Sequence, residues 1–159
     1  MSELTETVAV VVHSPFRRSV HAEIVIEAPA ERVWQVLTDF KTLPTWSKSL
    51  QGIEGELRKD ADVVVMFMNN KGKVAPYKHR LTIFEAGKKF GWSDSFFPML
   101  KDHHIYSVEP LPGGRTRFIQ TDAAIGFSSL FLGKMATDFM SSNYREFNRV
   151  LKAVAEKKR

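Results

Sequence analysis

The chain has 159 residues, 43% of them hydrophobic and 26% charged, with no cysteine and a formal net charge of +5. That length suits one globular domain burying roughly 68–70% of its unfolded surface, and the missing cysteines exclude a disulfide framework, a thiolate zinc site and a cysteine nucleophile. No Lys/Arg cluster is interleaved with aromatics in the manner of a nucleic-acid binder, no apolar run nears the roughly 20 residues that span a bilayer, and Glu3 and Glu6 stand where a signal peptide would be positive. The expectation is a cytoplasmic protein with no nucleic-acid partner and no stable membrane insertion. Transient membrane contact and the oligomeric state stay open.

Residues 1–20 read as an extension to a domain spanning 21–159. Within the extension, the apolar run from Val8 to Val12 has β propensity but is followed by His13, Ser14, Pro15, Arg17 and Arg18. It suits either an edge strand or a tail lying on a sheet. Residues 21–28 alternate Ala22, Ile24, Ile26 and Ala28 against His21, Glu23, Val25 and Glu27, a half-buried first strand that Pro29 ends. Val33, Trp34, Val36, Leu37 and Phe40 then fall at helical spacing, and residues 41–50, with Pro44 and Trp46, add one further short helical turn. Strands are expected over 62–68, 77–85, 89–93, 103–109 and 115–125, separated by turns at 58–60, 71–73, 86–87 and 110–114. The loop 94–101 carries Phe96, Phe97, Pro98, Met99 and Leu100 and is a candidate lid.

Residues 128–156 form the one long segment with a sustained helical period. Leu132, Met135, Ala136, Phe139, Met140, Phe147, Val150, Leu151 and Val154 recur in steps of three and four on one stripe. Its second half reads as core. Its first half is rich in Met and Phe, contains Gly133 at a cost of about 1 kcal/mol relative to Ala, and puts Asn143 where an apolar residue is expected. That half suits either a gap-filling core or the lining of a cavity. A sheet wrapped around this helix is the simple packing solution.

Four separate stretches resemble one known superfamily. Ala28-Pro29-Ala30-Glu31-Arg32-Val33-Trp34-Gln35-Val36-Leu37-Thr38-Asp39, followed by Pro44-Thr45-Trp46, matches an "AP-x-x-x-VW-x-x-L-x-D" helix and a Trp two residues after a Pro. Glu85-Ala86-Gly87-Lys88-Lys89-Phe90-Gly91-Trp92 is similar to an "E-P-G-K-x-L-x-W" hairpin, with Ala86 and Phe90 as departures. His104 to Pro110, then Gly113 to Asp122 and Gly126, follow "H-x-F-x-L-x-P … GG-T-R-F-x-Q-x-E-x-F-x-G", with Asp122 for Glu, Ala124 for a bulky apolar residue and Arg115 inserted. Phe147 to Lys152 extends the match through the terminal helix. The pattern is that of the START-like superfamily of polyketide cyclases and lipid-transport proteins (SRPBCC). The resemblance implies an α+β helix-grip fold: a curved antiparallel sheet wrapped around a long C-terminal helix, with two short helices after the first strand. It also implies a cavity for a hydrophobic ligand between sheet and helix, in members that are carriers, cyclase or dehydratase enzymes, or protein-partner modules.

Strand parity places the candidate site. If Leu81 and Ile83 face the helix, so does His79; His104, Tyr106 and Val108 share one face, and Thr116, Phe118, Gln120 and Asp122 another. Around them a chamber of Trp46, Met66, Met68, Trp92, Met135, Phe139 and Asn143 is expected, a mostly apolar pocket with few polar groups. The ligand expected is a lipid, sterol, quinone or polyketide-like molecule. His79, His104, Tyr106 and Asp122 are chemically able to act as acid or base, yet carriage is preferred to catalysis, so no residue is assigned as catalytic. No cofactor is expected, and no metal, since the adjacent His103 and His104 point to opposite faces and neither has zinc-ligand spacing.

Overall fold

The computed structural model describes residues 6–69, 71–93, 95–96 and 100–157. The first five residues of the extension lie outside this set, as do Asp94 and 97–99, on which the lid expectation falls.

The apolar run of the extension is an edge strand, β1 (Glu6–Ser14), paired antiparallel with β2 (Arg17–Ile26) from Glu6↔Ile24 to Val12↔Arg18. Helix α1 (Ala30–Thr38) starts after Pro29, whose ring fixes φ at the value a helix entry needs, and buries Val33, Val36 and Leu37. The further turn is a 3-10 segment, Leu43–Thr45. Then come β3 (Leu50–Glu54), β4 (Asp62–Met68), β5 (Val74–Glu85), β6 (Lys89–Ser93), a two-stranded ribbon of β7 (Ser95–Phe96) and β8 (Leu100–Lys101), β9 (His104–Leu111), β10 (Arg115–Ile125) and α2 (Phe127–Ala155). Strand β3 has no counterpart in the sequence reading: it is short, bulged between Leu50 and Gly52, and buried on both faces at Leu50 through Ile53, so no alternation marks it.

The sheet runs β1-β2-β10-β9-β6-β5-β4-β3, every pair antiparallel, with β8 joined to β10 at Ile125↔Lys101. Helix α2 lies on β2 and β10, so the fold is the expected helix grip. No helix among the described residues is long and apolar enough to cross a membrane.

The orientation of α2 differs from the expectation. Its buried line is Ser129, Gly133, Thr137, Phe147, Asn148, Leu151 and Ala155, roughly a quarter-turn from the stripe of large apolar residues at 3.6 residues per turn. Met135 and Phe139 are 65% and 71% exposed, and Phe131 is 82% exposed. The reason is a close approach. A Cβ on Gly133 would sit 2.6 Å from Nε of Arg18 on β2, so the first half of the helix meets the sheet through its smallest residues. Thr137 and Ser141 need no partner from the sheet, because their hydroxyls donate to the carbonyls of Gly133 (2.9 Å) and Thr137 (2.6 Å) one turn back. In the second half Phe147 packs on Trp46, Tyr106 and Phe118 at ring-centroid distances of 5.4, 5.8 and 6.2 Å.

Two strand assignments also change. In β4 the register Val63↔His79, Val65↔Tyr77 and Phe67↔Ala75 puts Val63, Val65 and Phe67 on the inner face. Met66 and Met68 therefore face outward, opposite Pro76 and Val74. In β5 an irregularity between Leu81 and Ile83 restarts the alternation. Leu81 pairs with Trp92 and Phe84 with Phe90, so Ile83 leaves the inner face and Phe84 takes its place.

Truncating Phe147 or Leu151 to Ala is expected to cost about 2–5 kcal/mol, while Met135→Ala and Phe139→Ala stay within about 0.5 kcal/mol, as exposed positions do. Denaturant melts of the four variants check this; equal losses would place the first half of α2 in the core after all.

Candidate functional site

Strands β9 and β10 build the floor of the site. Their register, Phe118↔Val108 and Gln120↔Tyr106, lines His104, Tyr106, Val108, Phe118, Gln120 and Asp122 on the inner face, and all six are buried. Parity read from the sequence is correct on both strands.

Under the middle of α2 these residues form a polar cluster. The Gln120 amide nitrogen donates to Asn148 Oδ1 at 2.6 Å and to the Tyr144 carbonyl at 3.5 Å. Its oxygen is thereby left to accept from His104 Nε2–H at 3.0 Å. The His104 Nδ1 then carries a lone pair, 3.9 Å from Asp122 Oδ2. That carboxylate oxygen accepts from the Tyr144 hydroxyl at 2.5 Å, and Oδ1 accepts from the backbone N–H of His103 (3.1 Å) and Ala123 (2.7 Å).

Burial dominates the electrostatics. It pushes the His104 imidazole below its ordinary value, against the pull of Asp122 and Gln120, so the ring is neutral near pH 7. Burial, reinforced by Asp122, raises the Tyr106 and Tyr144 phenols well above their ordinary value, so both remain protonated donors. The cluster thus holds a neutral imidazole, a carboxylate and two phenols, groups able to hydrogen-bond the polar end of an apolar molecule or to move a proton.

Aromatic rings surround it. His104 stacks on Tyr106 at 4.4 Å and lies 4.6 Å from Tyr144 and 5.2 Å from Trp92. His79 sits 5.8 Å from Trp92, and Phe67 bridges Trp92 and Tyr77 at 6.0 and 6.1 Å. Toward the open side of the helix, Trp46, Ser47, Asn143, Phe147 and Val150 border a cleft of about 20 Å³, room for a single water. Trp46 Nε1 and Ser47 Oγ are buried there without a hydrogen-bond partner. The Asn143 amide turns back onto its own helix, donating to the Phe139 carbonyl at 3.0 Å.

The structure thus brings His79, Trp92, His104, Tyr106, Gln120 and Asp122 together and sets Trp46 and Asn143 at the neighbouring cleft. It leaves Met66 and Met68 on the opposite face of the sheet and Met135 and Phe139 in solvent. The sequence reading missed Tyr144, Asn148, Ser47 and Phe67. Tyr144 and Asn148 continue, through Leu151 and Ala155, in steps of four, three and four, a period hidden because its first two members are polar.

Tyr144→Phe leaves a buried carboxylate oxygen without its donor and should cost about 1–3 kcal/mol. Because the native state lowers the affinity of His104 for its proton, the unfolded chain takes up that proton first on acidification. The corresponding stability is complete above pH about 6.5 and is lost as the pH falls below it. Melts between pH 8 and 5 should show this decline, and His104→Asn should flatten it; a decline of the same steepness in the variant would assign it to other groups.

No curated protein matches the sequence. Similar solved structures include the di-domain ARO/CYC protein BexL (14% identity, TM-score 0.69, covering 92% of this chain and 52% of that one), so this chain spans about half of that protein. A START superfamily protein from Mycobacterium smegmatis (16%, 0.65, covering 87% of this chain and 97% of that one) and the Zhui aromatase/cyclase from a Streptomyces species (17%, 0.63, covering 88% and 94%) share the fold. The family model for polyketide cyclase/dehydrase and lipid transport matches residues 17–156, nearly the whole chain apart from β1, and the protein belongs to that family.

Proposed function

We propose that the protein binds a hydrophobic small molecule, of the lipid, sterol, quinone or polyketide type, and that it does so as a carrier without catalysis. The molecule lies beside the first half of α2, between the helix flank bearing Leu132, Met135, Phe139 and Asn143 and the inner face of the sheet at Phe67, Tyr77, His79 and Trp92. The carrying observation is that flank. Leu132, Met135 and Phe139 stand at 52%, 65% and 71% exposure, and large apolar side chains gain about 25 cal/mol per Å² on leaving water. Trp46 Nε1 and Ser47 Oγ, without partners next to Asn143, supply polar contacts at one end. The family's printed description, which names lipid transport, agrees.

An enzymatic reading has one specific observation in its favour, the His104–Asp122–Tyr144 group, and the neighbours named aromatase/cyclase supply its reaction class, cyclisation or dehydration of a polyketide. Mutants separate the two. A carrier changes affinity by about 0.5–1.5 kcal/mol in Asp122→Asn or His104→Ala, whereas an enzyme loses about 10²–10⁴-fold in turnover with binding nearly intact.

Titration with ANS or a fluorescent fatty acid should show micromolar binding to the native protein. Phe139→Glu, at an exposed site that leaves the fold intact, should weaken it tenfold or more, because one buried aromatic contributes about 1.5–3 kcal/mol. Native mass spectrometry of protein purified from its own cells should find the ligand itself. Failure of every apolar probe to bind at micromolar concentration would remove the carrier reading.

A further inference from the structure

The two edges of the sheet are treated differently. Strand β3 ends one side after five residues, is bulged at Leu50–Gly52 and is covered, with Phe40 against Gly52. These are the usual devices that keep an edge from pairing with another chain. Strand β1 has one irregularity, between Val12 and Ser14 at its far end, and none of the other devices. It has nine residues, no Pro and no Lys, keeps an unbroken register with β2 from Glu6 to Val12, and leaves Val10, Val11 and Val12 at 41%, 46% and 56% exposure. It also lies outside the residues that the family model matches.

The surface continues from the strand onto the helix. Val10 and Val12 share the inner face with Val20 and Arg18, on the side of α2 where Arg145 and Arg149 reach Glu6 at 3.4 and 2.8 Å. At the other end of β1, Phe16 packs edge-on against Phe127 at 5.5 Å, and Phe131 follows one turn along. The exposed fractions of Phe16, Phe127 and Phe131 amount to roughly 370 Å² at about 200 Å² per ring. A standard interface buries about 800 Å² per partner, and the open edge of β1 with its three half-exposed valines adds to the aromatic area.

We infer that the occupant of this surface is a second copy of the chain, joined through antiparallel pairing of β1 with the partner's β1 about a two-fold axis at Val10. The strand is self-complementary in that register. Val10 meets the partner's Val10, Val8 meets the partner's Val12, and the acidic start at Glu6 lies beside the end that carries His13 and Arg17. The pairing closes on itself, as an isologous contact must. Three strand spacings separate β2 from its symmetry mate, about 14 Å. The two α2 helices therefore run side by side on the same face, with Phe127 and Phe131 filling the space between them.

Sedimentation velocity of the intact protein at about 10 μM should give a dimer, and Val10→Lys and Phe131→Ser, both at exposed positions, should give folded monomers with unchanged far-UV circular dichroism. Because the chain has no cysteine, Val10→Cys tests the register directly: across the axis the two Cα atoms lie at about 4.5–5.5 Å, within disulfide reach, so mild oxidation should yield covalent dimer. Val12→Cys should not, since its mate lies about 14 Å away at 3.4 Å per residue. A wild-type monomer overturns the inference, whether it stays free or floats with anionic phosphatidylserine vesicles, the second case assigning the surface to a membrane. A dimer that survives Val10→Lys while Val10→Cys fails to cross-link overturns it as well, by moving the interface elsewhere.

Discussion

The structure depends on the close approach of α2 to β2 at Gly133. Ser129, Gly133 and Thr137 leave so little bulk between helix and sheet that Arg18 lies against the helix backbone, and this contact fixes the rotation of all 29 residues of α2. Once the small residues face inward, Phe131, Met135 and Phe139 must face outward, since a straight helix cannot turn one half independently of the other. The second half tolerates the same rotation because Tyr144, Asn148 and Leu151 fill the inward positions and Trp46 covers the flank at Phe147. The helix is thus packed along one line and uncovered along the next, and the uncovered line is what a ligand or a partner would use.

Beneath that helix, hydrogen bonds among β9, β10 and α2 tie the central polar cluster together. Gln120 accepts from His104 and donates to α2, and Asp122 accepts from His103 just before β9, from Ala123 on β10 and from Tyr144 on α2. Such a network ties three elements together with bonds that are strong because water is excluded, and it is costly to break at one point. Asn148 Nδ2 is its one loose end, a buried donor without a partner, at the place where the helix would separate from the floor.

Much of this was legible in the sequence, and the failures have physical causes. The faces of β9 and β10 were readable because a period of two assigns alternate residues to one face, and burial follows that period from His104 to Val108 and along all of β10. The face of β4 was not: from Val63 to Met68 every residue is apolar, so a period of two leaves no mark and Met66 and Met68 look as suitable for the interior as Val65 and Phe67. Ile83 was misplaced because one irregular residue inverts the parity of everything beyond it. For α2, hydrophobicity pointed to the wrong line, because the sequence places its large apolar residues where they meet water. The better signal was size, with Ser129, Gly133, Thr137 and Ser141 recurring every four residues, the pattern that permits close packing. Tyr144 and Asn148 escaped notice for the same reason, as polar members of a buried line.

The central claim is that the uncovered flank of α2 is covered when the protein carries its ligand. Phe139→Trp reports on it directly, since the position is 71% exposed and an indole fits there without disturbing the core. Taken as the difference from the parent protein, its emission should be that of an indole in water when the protein is free, and should shift to the blue and resist iodide quenching when an apolar ligand is bound. An emission that stays water-like while the ligand demonstrably binds would mean that the flank is not part of the site.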